Sequence, residues 1–184
     1  MYEMSDIRDG LKVDIDGAPY EVIYFQFVKP GKGTPFTRTT LKPLLTGTTL
    51  QVNYRDGDKL MPADWTEASM TYADDDGATW RFVDPGRETE ALVPLALIEP
   101  VRPFLFSGGQ ATVCHYNGEV VRLILPELID VVVARADRSE DPSRTSKPAT
   151  LTNGTVVEVP GYIHEGNTIR VSTVTGSYVD RISL

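Results

Sequence analysis

The sequence predicts an all-β chain made of three consecutive small barrels. Thirteen prolines and fifteen glycines punctuate short runs that alternate apolar and polar residues, a pattern of many turns and few helices. These runs come in groups of about five and restart twice, near residues 62–64 and near residue 128. With 41% hydrophobic residues in 184, the chain can bury a core and is not disordered by composition. The expected divisions are residues 1–63, 64–128 and 129–184.

The first unit opens with an alternating run at residues 11–15 (LKVDI), an Asp16-Gly17 turn and a second run to Val28. This is a hairpin signal, with Val13, Ile15, Val22 and Tyr24 as the candidate inward residues. Residues 28–38 (VKPGKGTPFTR) follow, with Lys32 between Gly31 and Gly33 and prolines at Pro30 and Pro35. Strand-like runs flank them, residues 21–28 before and 36–42 after, so the stretch reads as a β-arm with a stiff tip. A bend at residues 44–47, a strand at 48–54, an Asp56-Gly57 turn and a short strand at 59–61 complete a compact barrel-like unit.

In the middle unit, residues 69–73 and 79–83 flank Asp74-Asp75-Asp76-Gly77, a hairpin with an acidic turn. The three aspartates lack the ligand spacing and terminal Glu of a calcium loop, so they read as a solvated turn. Residues 88–98 are the best helix candidate, short or broken because of Pro94. Strands at 110–116 and 119–125 flank an Asn117-Gly118 turn. The last unit has strands at 129–134, 147–151, 155–160, 168–173 and 178–182, with a polar loop at 135–146. The strand count and spacing in these two units suit small Greek-key barrels of the OB type, which often bind nucleic acid.

One cysteine, Cys114, excludes an intramolecular disulfide framework and fits a reducing cytoplasm. The polar N-terminal stretch does not read as a signal peptide, and no apolar run approaches the ~20 residues of a membrane helix. The net charge of −8 is uneven. Residues 1–63 balance eight basic against eight acidic side chains, residues 64–128 carry four against eleven, and residues 129–184 six against seven. Between Val22 and Tyr54 there is no Asp or Glu, while Lys29, Lys32, Arg38 and Lys42 all fall there and Arg55 lies just beyond. The acidity of the middle unit serves solubility or, alternatively, polarises a molecule that docks one face on RNA.

No catalytic constellation is present. Gly31-Lys32-Gly33-Thr34 lacks the spacing of a phosphate loop, and a strand rather than a helix follows it. His115 and His164 have no Cys or His partner at metal spacing. His115 and Cys114 are strand neighbours, whose side chains point to opposite faces. No metal, cofactor or catalytic residue is expected. Lys32 remains. A hairpin-tip lysine is ordinarily solvated and unimportant, but two glycines, bracketing prolines and an acid-free arm set this one apart. At ~3.4 Å per residue, a strand of eight residues carries its tip roughly 25–30 Å, far enough to place one cation in a narrow phosphate-lined cavity.

At these residues the chain resembles the bacterial elongation factor P family, relatives of the archaeal and eukaryotic factor that carries hypusine. The resemblance spans the whole chain. In the first unit it rests on Gly10-Leu11, Asp16-Gly17, the FVKPGKG run at residues 27–33, Phe36 with Arg38, and residues 44–47 (LLTG). In the middle it rests on Met70-Thr71-Tyr72 and Asn117-Gly118. In the last unit it rests on residues 147–151 (KPATL), Gly154, Val157, Val159-Pro160, Gly166, Ile169, Val171, Gly176, Tyr178-Val179 and Arg181.

The resemblance implies a KOW/SH3-like barrel followed by two OB barrels in an L-shaped, tRNA-like arrangement. It implies a cytoplasmic, monomeric translation factor, not an enzyme, that binds the ribosome between the P and E sites. Its implied partners are rRNA and P-site peptidyl-tRNA, and its implied role is to relieve stalling at consecutive prolines. Lys32 aligns with the family's tip residue, often extended by an amine-bearing group, so a lysine-modifying enzyme is a further implied partner. The tip loop is Pro30, Gly31, Gly33, Thr34 and Pro35 around it. Candidate RNA contacts are Lys29, Arg38 and Lys42 in the arm and Arg144, Lys147 and Arg181 in the last unit. Tyr178 is a candidate to stack on RNA or, equally, a packing residue.

Three positions depart from the family's pattern. Pro35 stands where many members have a small residue, Thr40 where many have a lysine, and residues 138–146 (RSEDPSRTS) where many have a glycine-rich loop. The last departure leaves open a second reading, a paralogue of the same fold with a different RNA-binding or regulatory role.

Overall fold

The computed structural model describes residues 1–84, 86–136 and 145–182. Strands β1 (Lys12–Ile15), β2 (Ala18–Val28), β3 (Phe36–Pro43), β4 (Leu50–Arg55) and β5 (Met61–Pro62) form one sheet in the order β4-β3-β2-β1-β5. A second sheet takes β6 (Trp65–Asp75), β7 (Thr79–Asp84), β8 (Thr89–Pro94), β9 (Gln110–Tyr116) and β10 (Glu119–Ile124) in the order β10-β9-β6-β7-β8. The third runs β13-β12-β11-β14-β15, from β11 (Leu128–Ala136), β12 (Ser146–Leu151), β13 (Val156–Pro160), β14 (Thr168–Ser172) and β15 (Tyr178–Ile182). The all-β expectation, three groups of five strands, is borne out.

The local chemistry explains the connections. Asp14 Oδ1 accepts a 2.8 Å bond from the Gly17 amide and closes the β1–β2 turn. Asn117 and Gly118 both take positive φ, 52° and 80°, as a two-residue type I′ hairpin turn requires. Asp76 Oδ1 accepts from the amides of Ala78 and Thr79, which fixes the acidic turn and holds the Asp76 carboxyl below its usual range. The three aspartates are therefore turn-forming groups. Among the described residues no group of three or more His, Cys, Asp or Glu could hold a metal ion.

Residues 88–98 correct the helix expectation. Their first part is strand β8, paired to β7 from Thr79↔Pro94 to Asp84↔Thr89. Ala91 and Val93 point inward and are buried, whereas Glu90 and Leu92 point outward. This period of two wins over helix propensity because it gives β7 a partner and buries two side chains. Helix α1 (Leu95–Ile98) is a single turn that begins after Pro94, whose ψ of 152° is extended. Among the described residues no helix is long and apolar enough to cross a membrane.

The chain divides into two compact units, Met1–Glu67 with Cys114–Arg122 and Ala68–Val113 with Leu123–Leu184. The core of the first is Ile7, Leu11, Val13, Val22, Leu41 and Leu60, flanked by Val52 and Tyr54. The hairpin around Asn117 is tied into it. The Tyr116 hydroxyl donates to the Asp14 carboxylate, and Arg122 Nη1 donates to the Leu44 carbonyl at 3.1 Å. In the second unit, Phe82, Val93 and Ile98 are fully buried, and the Tyr72 and Phe82 rings lie 5.6 Å apart. A second cluster, built on Val133, Leu151, Val159, Ile163, Ile169 and Val171, takes Phe104 and Phe106 against it. Each Val, Leu, Ile or Phe buried this fully contributes about 1.5–3 kcal/mol relative to exposure.

Candidate functional site

The site begins with the β2–β3–β4 ladder. Near its base, Val22 pairs with Leu41 and both are buried in the core of the first unit. One residue further the register shifts, because Tyr24 pairs with Thr40 and Ile23 is left as the extra residue of a β-bulge. From there the ladder is regular: Phe25↔Thr39↔Val52, Gln26↔Arg38↔Asn53, Phe27↔Thr37↔Tyr54 and Val28↔Phe36↔Arg55. Cross-strand partners share a face. Val52 and Tyr54 pack against the core, so Phe25, Phe27, Thr37 and Thr39 lie on that inner face. Thr39 is fully buried and its Oγ1 donates to the Val52 carbonyl at 2.9 Å. Tyr24, expected inward, is half exposed on the outer face. The bulge sets its face, because one inserted residue inverts the alternation beyond it, but exposure does not separate the two faces of the arm: Phe25 and Phe27 are 40% and 56% exposed.

Lys29–Pro35 span the seven positions between β2 and β3, and Lys32 is the middle one. Gly33 has a φ of 111°, which side-chain-bearing residues rarely adopt, and the Pro30 ring lies beside it. Lys29, Gly31, Lys32, Gly33 and Thr34 are exposed, and Pro30 and Pro35 are half-buried. Arg38 and Lys42 are exposed along β3. Among the described residues none of these four cations forms an ion pair, in contrast to Lys12 with Glu67, Lys59 with Glu3, Arg81 with Asp74 and Arg170 with Asp130. The arm therefore presents uncommitted positive charge.

In the third sheet the structure brings Tyr178 and Arg181 together through a residue that sequence reasoning missed. Tyr162 is exposed in the turn after β13. Its hydroxyl lies 3.1 Å from that of Tyr178, and the Arg181 guanidinium sits 5.9 Å over its ring. Partial burial and the Tyr162 hydroxyl push the Tyr178 phenol up to about 12, so it stays neutral. Tyr178 also packs against the core cluster, the second of the roles expected of it. The signal for Tyr162 was an aromatic directly after Pro160-Gly161, where a turn leaves it no core to enter.

Lys147 lies elsewhere. It alternates inward with Ala149 and Leu151 on β12, opposite the fully buried Val159, and only 4% of it is exposed. That burial removes it from the surface cations. Arg144, with residues 138–144 of the polar loop, lies outside the described residues.

Among the described residues the other reactive side chains are not assembled into a catalytic group. Cys114 is fully buried, and burial pushes its thiol up to about 11, with Glu67 adding to the shift. His164 is exposed and His115 half-buried, on different strands or turns. A cavity of about 210 Å³ beside Trp80 has its polar lining engaged internally: Tyr72 donates to Asp75, and the Arg102 guanidinium lies 5.7 Å over the Trp80 ring.

Residues 3–60 match the family model described as Elongation factor P (EF-P) KOW-like domain, and residues 129–181 match that described as Elongation factor P, C-terminal. Elongation factor P of Desulfosudis oleivorans is 35% identical over 185 residues, covering 99% of each chain. That of Bdellovibrio bacteriovorus is 35% identical, covering 100% of this chain and 99% of its own. That of Campylobacter fetus is 31% identical, covering 98% and 97%. Among solved structures, a translation initiation factor eif-5a family protein from Naegleria fowleri superimposes with a TM-score of 0.50 at 16% identity, covering 67% of this chain and 96% of that one. That last likeness is one of fold alone. Matched end to end by relatives above 30% identity, and by family models over its first and last sheets, the chain belongs to the elongation factor P family.

Proposed function

We propose that this protein is a cytoplasmic translation elongation factor that binds the ribosome between the P and E sites and promotes peptide-bond formation at consecutive prolines. The observation that carries the reading is Lys32: an exposed lysine at the centre of a seven-residue tip, on an arm without an acidic residue from Val22 to Tyr54. Family membership supports the general role. Proline is an awkward participant in peptide transfer. Holding the peptidyl-tRNA in a reactive geometry lowers a barrier that is largely orientational. A tip cation beside the tRNA backbone stabilises that geometry electrostatically. The protein acts as a monomer on rRNA and P-site peptidyl-tRNA, and a lysine-modifying enzyme that lengthens Lys32 would extend its reach. No cofactor or metal enters this reading.

Synthesis of a proline-run peptide in a purified translation system tests it. Lys32→Ala is expected to lower the rate of the proline–proline step by about a hundredfold, the lower end of the range for losing one preorganised donor. Its thermal unfolding should match the wild type, because the side chain is exposed. Normal stimulation by the variant would sink the tip mechanism. The mass of the tip peptide from the native host reports whether Lys32 carries an added group.

The Arg138–Ser146 sequence, where the family's glycine-rich loop is replaced, favours a second reading: a paralogue with another RNA or regulatory partner. Failure of both the modified and the unmodified protein to stimulate proline-run synthesis would select it.

A further inference from the structure

We infer that the β-bulge at Ile23 sets the direction in which the arm carries Lys32, which makes Ile23 a positioning residue for the tip. This rests on the functional reading of Lys32 and adds to it a residue outside the tip loop. The bulge sits where the arm leaves the rest of its sheet. Pairing of β2 with β1 ends at Lys12↔Glu21. The next residue, Val22, donates its amide to the Leu11 carbonyl at 2.9 Å, and its carbonyl accepts from the Gly10 amide at 2.8 Å. Val22 and its partner Leu41 are fully buried. Beyond them, residues 24–28, 36–40 and 51–55 form a three-stranded ribbon that β1 does not reach. Among the described residues this ribbon and its root contain one register shift, between Val22 and Tyr24.

Ile23 is 47% exposed and has no partner on β3, so packing and pairing explain little of it. Its effect is on the backbone, because an inserted residue bends its strand and increases the local twist. Above it the ribbon is regular, and the Thr39 hydroxyl donates across to the Val52 carbonyl, so a bend at the root is passed on to the tip. From Tyr24 to Val28 the strand covers about 17 Å at ~3.4 Å per residue, so a change of only about 10° at the root moves the tip by about 3 Å. Misplacement by about 1 Å can cost a hundredfold in rate. Deletion of Ile23 isolates this effect. Tyr24 would then follow Val22 directly, keep its partner Thr40 and stay on the outer face. Every pair and every face beyond is retained, and only the bend is lost. A bulge can instead keep an unpaired strand edge from joining another chain. That role would show as self-association of the deletion variant with its rate intact.

The test uses the full-length protein and ribosomes stalled at a proline–proline step. Spin labels on Thr34→Cys paired with Asp9→Cys or with Thr48→Cys, all exposed positions, report the separation of tip and barrel, and the native Cys114 is fully buried. Rates are measured on unlabelled protein. Deletion of Ile23 should shift these separations by up to about 3 Å and lower the maximal rate at saturating protein about a hundredfold. The concentration for half-saturation should change far less. In the Lys32→Ala background the same deletion should have no further effect, because the group that the bulge aims is absent. Ile23→Val, which keeps the extra residue and its β-branch, should restore both separation and rate. Ile23→Gly keeps the count but frees the backbone, so the distribution of separations should broaden and the maximal rate should fall. If thermal unfolding shows that the deletion variant does not fold, a wild-type rate in Ile23→Gly overturns the inference. For a folded deletion variant, unchanged separations, a wild-type maximal rate or an equal loss with and without Lys32 overturns it. If the wild type does not stimulate, the functional reading fails while the separations still show whether the bulge directs the arm. If the wild type and the deletion variant stimulate equally, the bulge inference fails alone.

Discussion

A lysine acts at a distance only if nothing on its own protein neutralises it. Among the described residues Lys12, Lys59, Arg81, Arg87 and Arg170 are held by carboxylates, and Lys29, Lys32, Arg38 and Lys42 are not. An acid introduced into the tip should therefore act as strongly as removal of the lysine. Thr34→Asp is expected to leave thermal unfolding unchanged and to suppress proline-run stimulation, whereas Thr34→Asn keeps it. Equal activity of the two variants would show that the charge of the tip is irrelevant. Cys114 presents the opposite case, a reactive group silenced by its surroundings. Burial raises its thiol from the ordinary 9.0 to about 11, so the native protein should resist alkylation near neutral pH and react once unfolded, as read by mass. The same shift sets the sign of a pH effect. The protonated thiol is favoured in the fold, so its contribution is complete below 9.0 and is lost as pH rises towards about 11. Tyr72, raised to about 12 by burial and by its bond to Asp75, acts in the same direction. The denaturant midpoint should therefore fall between pH 8 and roughly pH 10.5.

At the scale of elements, turns govern how the strands meet, and their chemistry is local. Gly118 has a φ of 80° and open space where a Cβ would stand, so Gly118→Ala isolates backbone strain from crowding. A loss of about 1–2 kcal/mol in chemical denaturation is expected, and a neutral result would remove the type I′ geometry as a determinant of the β9–β10 hairpin. This locality is why Asp16-Gly17, Asn117-Gly118 and the arm around Lys32 could be read directly from the residues. Long-range pairing was less visible. The run at 88–98 contains good helix formers, and only the presence of β7 as a partner decides for a strand up to Pro94. The bulge at Ile23 has no residue signature, so Tyr24 was expected on the wrong face. Lys147 looks like a surface cation until the register places it opposite the buried Val159. Tyr162 joins Tyr178 and Arg181 only because the turn after β13 returns beside β15. Local chemistry thus located the tip, while register decided which neighbours share its face.

For the whole molecule, the decisive property is how charge is partitioned. The net charge is −8, yet residues 64–128 hold eleven acidic against four basic side chains, and the arm holds no acid. Such a chain should bind free RNA poorly, because residues 64–128 oppose a polyanion with like charge. Among the described residues the exposed cations proposed to carry its affinity for ribosomes are Lys29, Lys32, Arg38, Lys42 and Arg55 in the arm and Arg181 in the last sheet. Each neutralised phosphate contributes about 0.7–0.9 to the slope of log affinity against log salt, so these six cations acting together give a slope of about −4 to −5. Replacing Thr40, which lies on the outer face of the arm, with lysine adds one cation and should strengthen binding and steepen the slope by about 0.7–0.9. Filter binding to ribosomes and to free tRNA at a series of salt concentrations measures all three quantities. If free tRNA bound as tightly as ribosomes, or if the slope were much steeper than −5, phosphates would be neutralised by cations beyond these six, and the uneven distribution of charge along the sequence would not govern association.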